Sequence, residues 1–373
     1  MRLLYVTDAL AIYGGLERIL VDKANRFSEE LGYKVFLVTV NQGKHPVVYP
    51  LNSQVNYCDL GIQFHHIYNY KGVWKIFKLF QLRCRYLQRI KEKIEEIAPD
   101  IIICLRIELV GAIVKAKGNI PLVYEVHSFW RKPKQMAAMY FPSLLLYGRI
   151  DISAIQRIVT LTEEDATEWR KITPEVCAIP NIVNINKTDK LSDCSAKTVI
   201  FVGRLAKQKD IGSLLKIWEI VHQTYPDWAL RIFADHGNEE NIWRPIIERM
   251  NANISLCPPT PNIIEEYLKC SILVLTSVFE PFGLVIPEAM SCGLPVVAFD
   301  CPYGPASIIS DEKEGFLIRN RDLSLFAEKV CLLMENESLR YKMGRAGVIS
   351  SLRYDSCNII PQWKQLFNQL KKK

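Results

Sequence analysis

Short, unbroken apolar runs alternate with amphipathic stretches along this chain, and that alternation restricts the fold more than any other feature. In the first half, "LLYVTDA", "KVFLVTV", "DIIICL", "PLVYEVH" and "RIVTLT" are separated by patterns such as "LERILVDKANRFSEE". Apolar runs without polar alternation predict strands covered on both faces, and helical segments between them predict a parallel sheet. The scheme begins again with "TVIFVGRL", "ALRIFAD", "ISLCP", "SILVLTS" and "LPVVAFD". Between the halves, "IPNIVNINKTDKLSDCSAKT" is polar and reads as a linker. At 373 residues, each half is long enough to bury a core of its own. The expectation is an α/β chain with two doubly wound parallel-sheet domains facing a cleft. Residues 1–180 and 198–355 form the domains, 181–197 the linker, and 356–373 a terminal helix that crosses back onto the first domain. Ligand loops then belong at the carboxyl ends of the strands.

Several function classes fall away. The 11 cysteines include no Cys-x-x-Cys and no Cys/His cluster, so neither a disulfide framework nor a zinc site is indicated, and a reducing cytoplasm fits. "MRLLYVTDAL" reads directly as a first strand, without the pattern of a signal peptide. The most apolar stretch, "DIIICLRIELVGAIV", is interrupted by Arg106 and Glu108, which argues against a membrane span. Of the net charge of +7, +6 falls in residues 1–178, where 24 Lys and Arg stand against 18 Asp and Glu. No nucleic-acid partner is expected.

Four places carry candidate chemistry. Gly14 and Gly15 lie between a strand and a helix, where backbone amides can meet a phosphate, though a plain tight turn explains them equally well. The Gly-x-Gly-x-x-Gly spacing of a dinucleotide site is missing. His127 closes a strand and leaves several roles open. Arg204 ends another strand and Lys209 follows it on the same loop, where two cations could neutralise a diphosphate leaving group. "FEPFGLVIPEAMSCGLPVVAFD" sets Glu280 and Glu288 into an apolar passage; alone, that pattern also suits a helix cap plus a surface charge. The chain has no Asp-x-Asp, so no Mg²⁺-type diphosphate site is visible and positive side chains and helix dipoles would have to replace it.

Taken together, these segments resemble the retaining glycosyltransferases with the GT-B fold, two Rossmann-like domains, and family 4 in particular. "EPFGLVIPE" is similar to that family's Glu-x7-Glu motif and "GRLAKQK" to its Gly-Arg-Leu…Lys segment. The resemblance implies that Glu280 contacts donor-sugar hydroxyls, Glu288 holds the nucleotide ribose, and Arg204 and Lys209 bind the diphosphate. It places Gly14 and Gly15 in the first-domain glycine loop, His127 near the transferred sugar, and the amides of Phe282, Gly283 and Leu284 on the donor phosphates. The implied reaction moves a hexosyl group from a UDP-sugar (galactose, glucose or their N-acetylated forms) to a saccharide acceptor. No metal is needed. "CPYGP" resembles enzymes that build bacterial capsule, exopolysaccharide or lipopolysaccharide on lipid carriers. A sugar-nucleotide epimerase and a non-catalytic nucleotide-sugar-binding relative are the alternatives.

Three departures concern the nucleotide pocket. Asp210 stands where a glycine often follows the lysine, Gly237 stands alone where a pair is common, and Ser307 replaces a frequent glutamate. A further stretch, residues 71–93, repeats apolar residues at helical spacing (Val73, Ile76, Phe77, Phe80, Cys84, Leu87, Ile90) among eight Lys and Arg and the single Glu92. Either this is a core-packing helix with a solvated basic back, or that basic face, with Trp74 nearby, meets an anionic membrane surface. Peripheral attachment at the inner face of the plasma membrane would follow from the second.

Overall fold

A computed structural model describes residues 1–127, 151–186, 188, 190–235, 237 and 239–372. They form two compact units, the first made of Met1–Ile182 with Ile360–Lys373 and the second of Val183–Ile359. Each is a parallel α/β sheet.

In the first unit the strands β1 (Arg2–Thr7), β2 (Lys34–Thr39), β3 (Asn56–Asp59), β4 (Ile101–Cys104), β5 (Leu122–Glu125), β6 (Arg157–Thr160) and β7 (Val176–Ala178) form one sheet. Their order is β3-β2-β1-β4-β5-β6-β7, every pairing being parallel. The central strands are wholly buried: Leu3, Leu4, Tyr5 and Val6 of β1 and Ile101, Ile102 and Ile103 of β4 have no exposure. That is why they read as continuous apolar runs. The sequence pattern misses β3 and β7 because they are short edge strands, and β3, "NYCD", has no buried residue to give it an apolar signature.

The helices α1 (Gly15–Leu31) and α2 (Gly72–Ile97) cover this sheet. Phe27 of α1 meets Trp363 and Phe367 of the helix Ser356–Lys371 edge-on at 6.1 and 5.6 Å, so the chain's last helical turns complete the first unit's core. In α2 the structure corrects the sequence reading of the apolar stripe. The buried positions are Leu79, Leu82, Tyr86, Ile90, Ile94 and Ile97, whereas Val73, Ile76, Phe77, Phe80 and Cys84 are exposed. The first half of this helix is apolar on two faces, and periodicity cannot tell which of them the core takes.

The second unit contains β8 (Thr198–Arg204), β9 (Ala229–Asp235), β10 (Ile254–Cys257), β11 (Ile272–Leu275), β12 (Val296–Phe299) and β13 (Gly315–Ile318). They run in parallel in the order β10-β9-β8-β11-β12-β13. The segment preceding β8 is fastened to this unit: Asn186 N donates to Ser291 Oγ at 3.0 Å and Ser192 Oγ to the Cys270 carbonyl at 2.6 Å. In both sheets the strand order reverses beside the unit's first strand, between β1 and β4 and between β8 and β11. Loops leaving the carboxyl ends there diverge and leave room for a ligand.

Candidate active site

Lys209 and Glu280 come together at the second sheet's reversal. Lys209 belongs to the turn after β8, and Glu280 lies five residues past the end of β11. Lys209 Nζ donates to Glu280 Oε2 at 2.7 Å, and Ser277 Oγ donates to the same oxygen at 3.0 Å. The two side chains keep only 12% and 11% of their surface in water, so this pair is far less screened than a surface ion pair. Gly203 lies against the lysine stem: a Cβ there would stand 3.1 Å from Lys209 Cε, so the stem would have to give by a few tenths of an ångström.

The loops that carry the pair are stitched to each other. Val278 N donates to the Gln208 carbonyl at 2.8 Å, Gln208 Nε2 to the Phe279 carbonyl at 3.0 Å, and Gly304 N to the Glu280 carbonyl at 2.8 Å. Gly283 turns the chain at φ +91°, a conformation that favours glycine, and a Cβ on it would also press on Glu280 Cγ at 3.0 Å. Asp210 has a structural role. It adopts the left-handed conformation that glycine favours, at φ +47°, and uses its carboxylate to accept from Ser213 N and Ser213 Oγ at the start of the helix Ile211–Thr224. Arg321 then pairs with Asp210 and donates to the carbonyls of Ser277 (3.0 Å) and Thr276 (3.1 Å). No spacing rule in the sequence links residue 321 to this loop.

Glu288 lies in the first turn of the short helix Val285–Ser291, where the cap reading put it, and is 2% exposed; Glu280 is 8% exposed, so neither carboxylate is a surface charge. Phe282 packs edge-on against Tyr354 at 5.3 Å, so its ring is core and only its backbone is available to a ligand. Gly283 is buried beside it and Leu284 is the N-cap of the same helix. Arg204, by contrast, is exposed at the end of β8 and forms no ion pair among the described residues.

The remaining candidates belong to the first unit. Gly14 caps α1 in an extended conformation and Gly15 begins it, with Glu17 in the first turn already complementing the positive end of the helix. His127 follows β5, and its Nε2 is 2.9 Å from Glu125 Oε1. Glu125 and Lys23 are fully buried and paired, with the Lys23 ammonium 4.4 Å from the centre of the Trp363 ring. Burial alone would raise the Glu125 carboxyl, but the charges of Lys23 and His127 more than reverse this and bring its pKa down to about 2. With that carboxylate ionised, the His127 ring donates from Nε2, and in its neutral form it keeps an acceptor lone pair on Nδ1. Glu125 escaped the sequence reading. The available signal was its spacing: two residues before His127, it leaves the strand on the same face.

Among the described residues, no group of three or more His, Cys, Asp or Glu side chains is arranged to hold a metal ion. No described helix is long and apolar enough to cross a membrane.

The family described as "Glycosyltransferase Family 4" matches residues 13–187, and "Glycosyl transferases group 1" matches residues 184–348. An uncharacterized glycosyltransferase of Haemophilus influenzae is 26% identical over 362 residues, covering 94% of this chain and 95% of its own. The amylovoran biosynthesis glycosyltransferase AmsD of Erwinia amylovora is 25% identical over 378 residues, covering 98% of this chain and 99% of its own. Among solved structures, a TarM variant of Staphylococcus aureus in complex with fondaparinux, α-GlcNAc-glycerol and UDP superposes with a TM-score of 0.79. That match covers 98% of this chain and 99% of TarM at 16% identity, and so shows a shared fold.

Proposed function

The chain belongs to the family 4-like glycosyltransferases with the GT-B fold, and from that premise we propose that it transfers a hexosyl group from a UDP-sugar to a saccharide acceptor with retention of anomeric configuration. The observation that carries this reading is the largely buried Lys209–Glu280 pair at the second sheet's reversal point. A cation held there with little solvent around it can meet the negative charge that grows on a departing diphosphate. Glu280, ordered by Lys209 and Ser277, is an acceptor for sugar hydroxyls. Glu288 takes the ribose. UDP in complex with TarM supports the choice of nucleotide. The bond from C1 to the phosphate oxygen breaks, a bond from C1 to the acceptor oxygen forms on the same face, and the hydroxyl proton passes to the leaving phosphate. Lys209, Arg204 and the Phe282–Leu284 amides stabilise that phosphate without a metal. The acceptor is a lipid-linked saccharide at the cytoplasmic side of a bacterial membrane, on the way to a surface polysaccharide. Similarity to the amylovoran biosynthesis glycosyltransferase supports a role in polysaccharide biosynthesis.

Incubation with a panel of UDP-hexoses and lipid-linked acceptors tests the proposal. Acceptor-dependent UDP release that survives EDTA, with an α-linked product by NMR from an α-linked donor, is expected. A β-linked product overturns retention, interconversion of sugar nucleotides without UDP release assigns an epimerase, and binding without turnover assigns a non-catalytic relative. For the ribose assignment, Glu288→Gln should weaken UDP binding by calorimetry roughly tenfold or more, the loss of one charge-assisted hydrogen bond. Unchanged UDP affinity would remove Glu288 from the nucleotide site.

A further inference from the structure

The unexplained face of α2 points to a partner. Val73 (79% exposed), Trp74 (72%), Ile76 (66%), Phe77 (61%) and Phe80 (65%) form a single stripe along the first two and a half turns of this helix. The helix is held to its unit from the opposite side, by Leu79, Leu82, Tyr86 and Ile90. Five large apolar side chains left in water on one face mark an interaction surface.

Its electrostatic setting selects the partner. Between Asp59 and Glu92 the chain carries no acidic residue, while Lys71, Lys75, Lys78, Arg83, Arg85, Arg89 and Lys91 are all basic. Exposed Tyr68 and Tyr70 lie against cations of this helix, the Lys75 ammonium 5.3 Å from the Tyr68 ring centre and the Lys78 ammonium 5.9 Å from that of Tyr70. An apolar stripe with Trp and Phe, bordered by cations and free of anions, matches a bilayer whose acyl chains begin a few ångströms beneath negative headgroups.

We infer that the N-terminal half of α2 docks this unit on an anionic membrane, Trp74, Phe77 and Phe80 entering the headgroup–acyl boundary and Lys78 and Arg85, beside the stripe, reaching the headgroups. This rests on the proposed lipid-linked acceptor only for its use, since the surface itself is independent of the transfer reaction.

The test is co-sedimentation of the full chain with phosphatidylglycerol/phosphatidylethanolamine vesicles and with neutral phosphatidylcholine vesicles, at low and high salt. The wild type should bind the anionic vesicles, and a fraction should stay bound in 1 M salt, where charge attraction is screened. Trp74→Ser/Phe77→Ser/Phe80→Ser should lose that salt-resistant fraction and partition roughly a hundredfold more weakly, given what burying three aromatic side chains contributes. Lys78→Glu/Arg85→Glu should lose the preference for anionic over neutral vesicles. UDP binding, unchanged in both variants, reports that the fold and the donor site are intact, so a failed docking surface is distinguishable from a failed transferase assignment. Three outcomes overturn the inference: a wild type that ignores anionic vesicles, a serine variant that binds them equally well, and a wild type that self-associates through the stripe in solution while the serine variant is monomeric, which assigns the face to a second copy.

Discussion

Lys209→Ala is expected to lower kcat by about two to three orders of magnitude, the loss of one preorganised electrostatic stabiliser worth roughly 3–4 kcal/mol in the transition state. The ammonium is held at 2.7 Å from Glu280, which fixes its position for the reaction. Its charge complements the diphosphate most when the sugar leaves and negative charge peaks on the phosphate oxygens. UDP binding, a ground-state property, should weaken less than kcat falls. The variant also leaves the Glu280 side chain, 11% exposed, without its cation. Lys209→Arg separates the two effects, because it restores the charge while changing its reach. Steady-state kinetics and UDP titration on both variants provide the check. A Lys209→Ala enzyme with most of its kcat would remove Lys209 from the reaction.

The second large effect concerns stability. Lys23→Met should destabilise the first unit by about 3–5 kcal/mol, because it strands the Glu125 carboxylate in the core without its counter-charge. Glu125 is fully buried and one of its oxygens, Oε2, has no hydrogen-bond partner among the described residues even with the lysine present. Replacing both members, as Lys23→Met/Glu125→Leu, should recover much of the loss, since a well-packed apolar pair needs no desolvated charge. Urea denaturation of the three proteins measures this. The pH dependence has a definite sign. The Glu125 pKa in the folded chain, about 2, lies below its ordinary value of 4.5. Its contribution is therefore present above about pH 4.5 and is lost as pH falls toward 2. In Lys23→Met, burial without the lysine charge raises the carboxyl instead, so acidification should narrow the gap between variant and wild type. A variant as stable as the wild type at neutral pH would show that Lys23 and Glu125 are not a coupled pair.

The sequence by itself determined the fold class, the two parallel sheets and the loops that bear the candidate residues. Buried parallel strands must be continuously apolar and the helices between them amphipathic, so local composition carries that information. The same local logic set Lys209 after β8 and Glu280 after β11, since each follows its own strand directly. What the tertiary structure decided is where residues distant in sequence meet. Lys209 is 71 positions from Glu280, Arg321 is 111 from Asp210, and Lys23 is 102 from Glu125. No periodicity encodes such pairs, and so Arg321 and Lys23 were silent in the chain, while Glu125 showed only its spacing to His127. Only the fold could also choose between the two apolar faces of α2. Helical spacing says which side chains share a face, while which face is buried depends on the elements packed against it. Here those elements cover Leu79, Leu82, Tyr86 and Ile90 and leave Trp74, Phe77 and Phe80 in water.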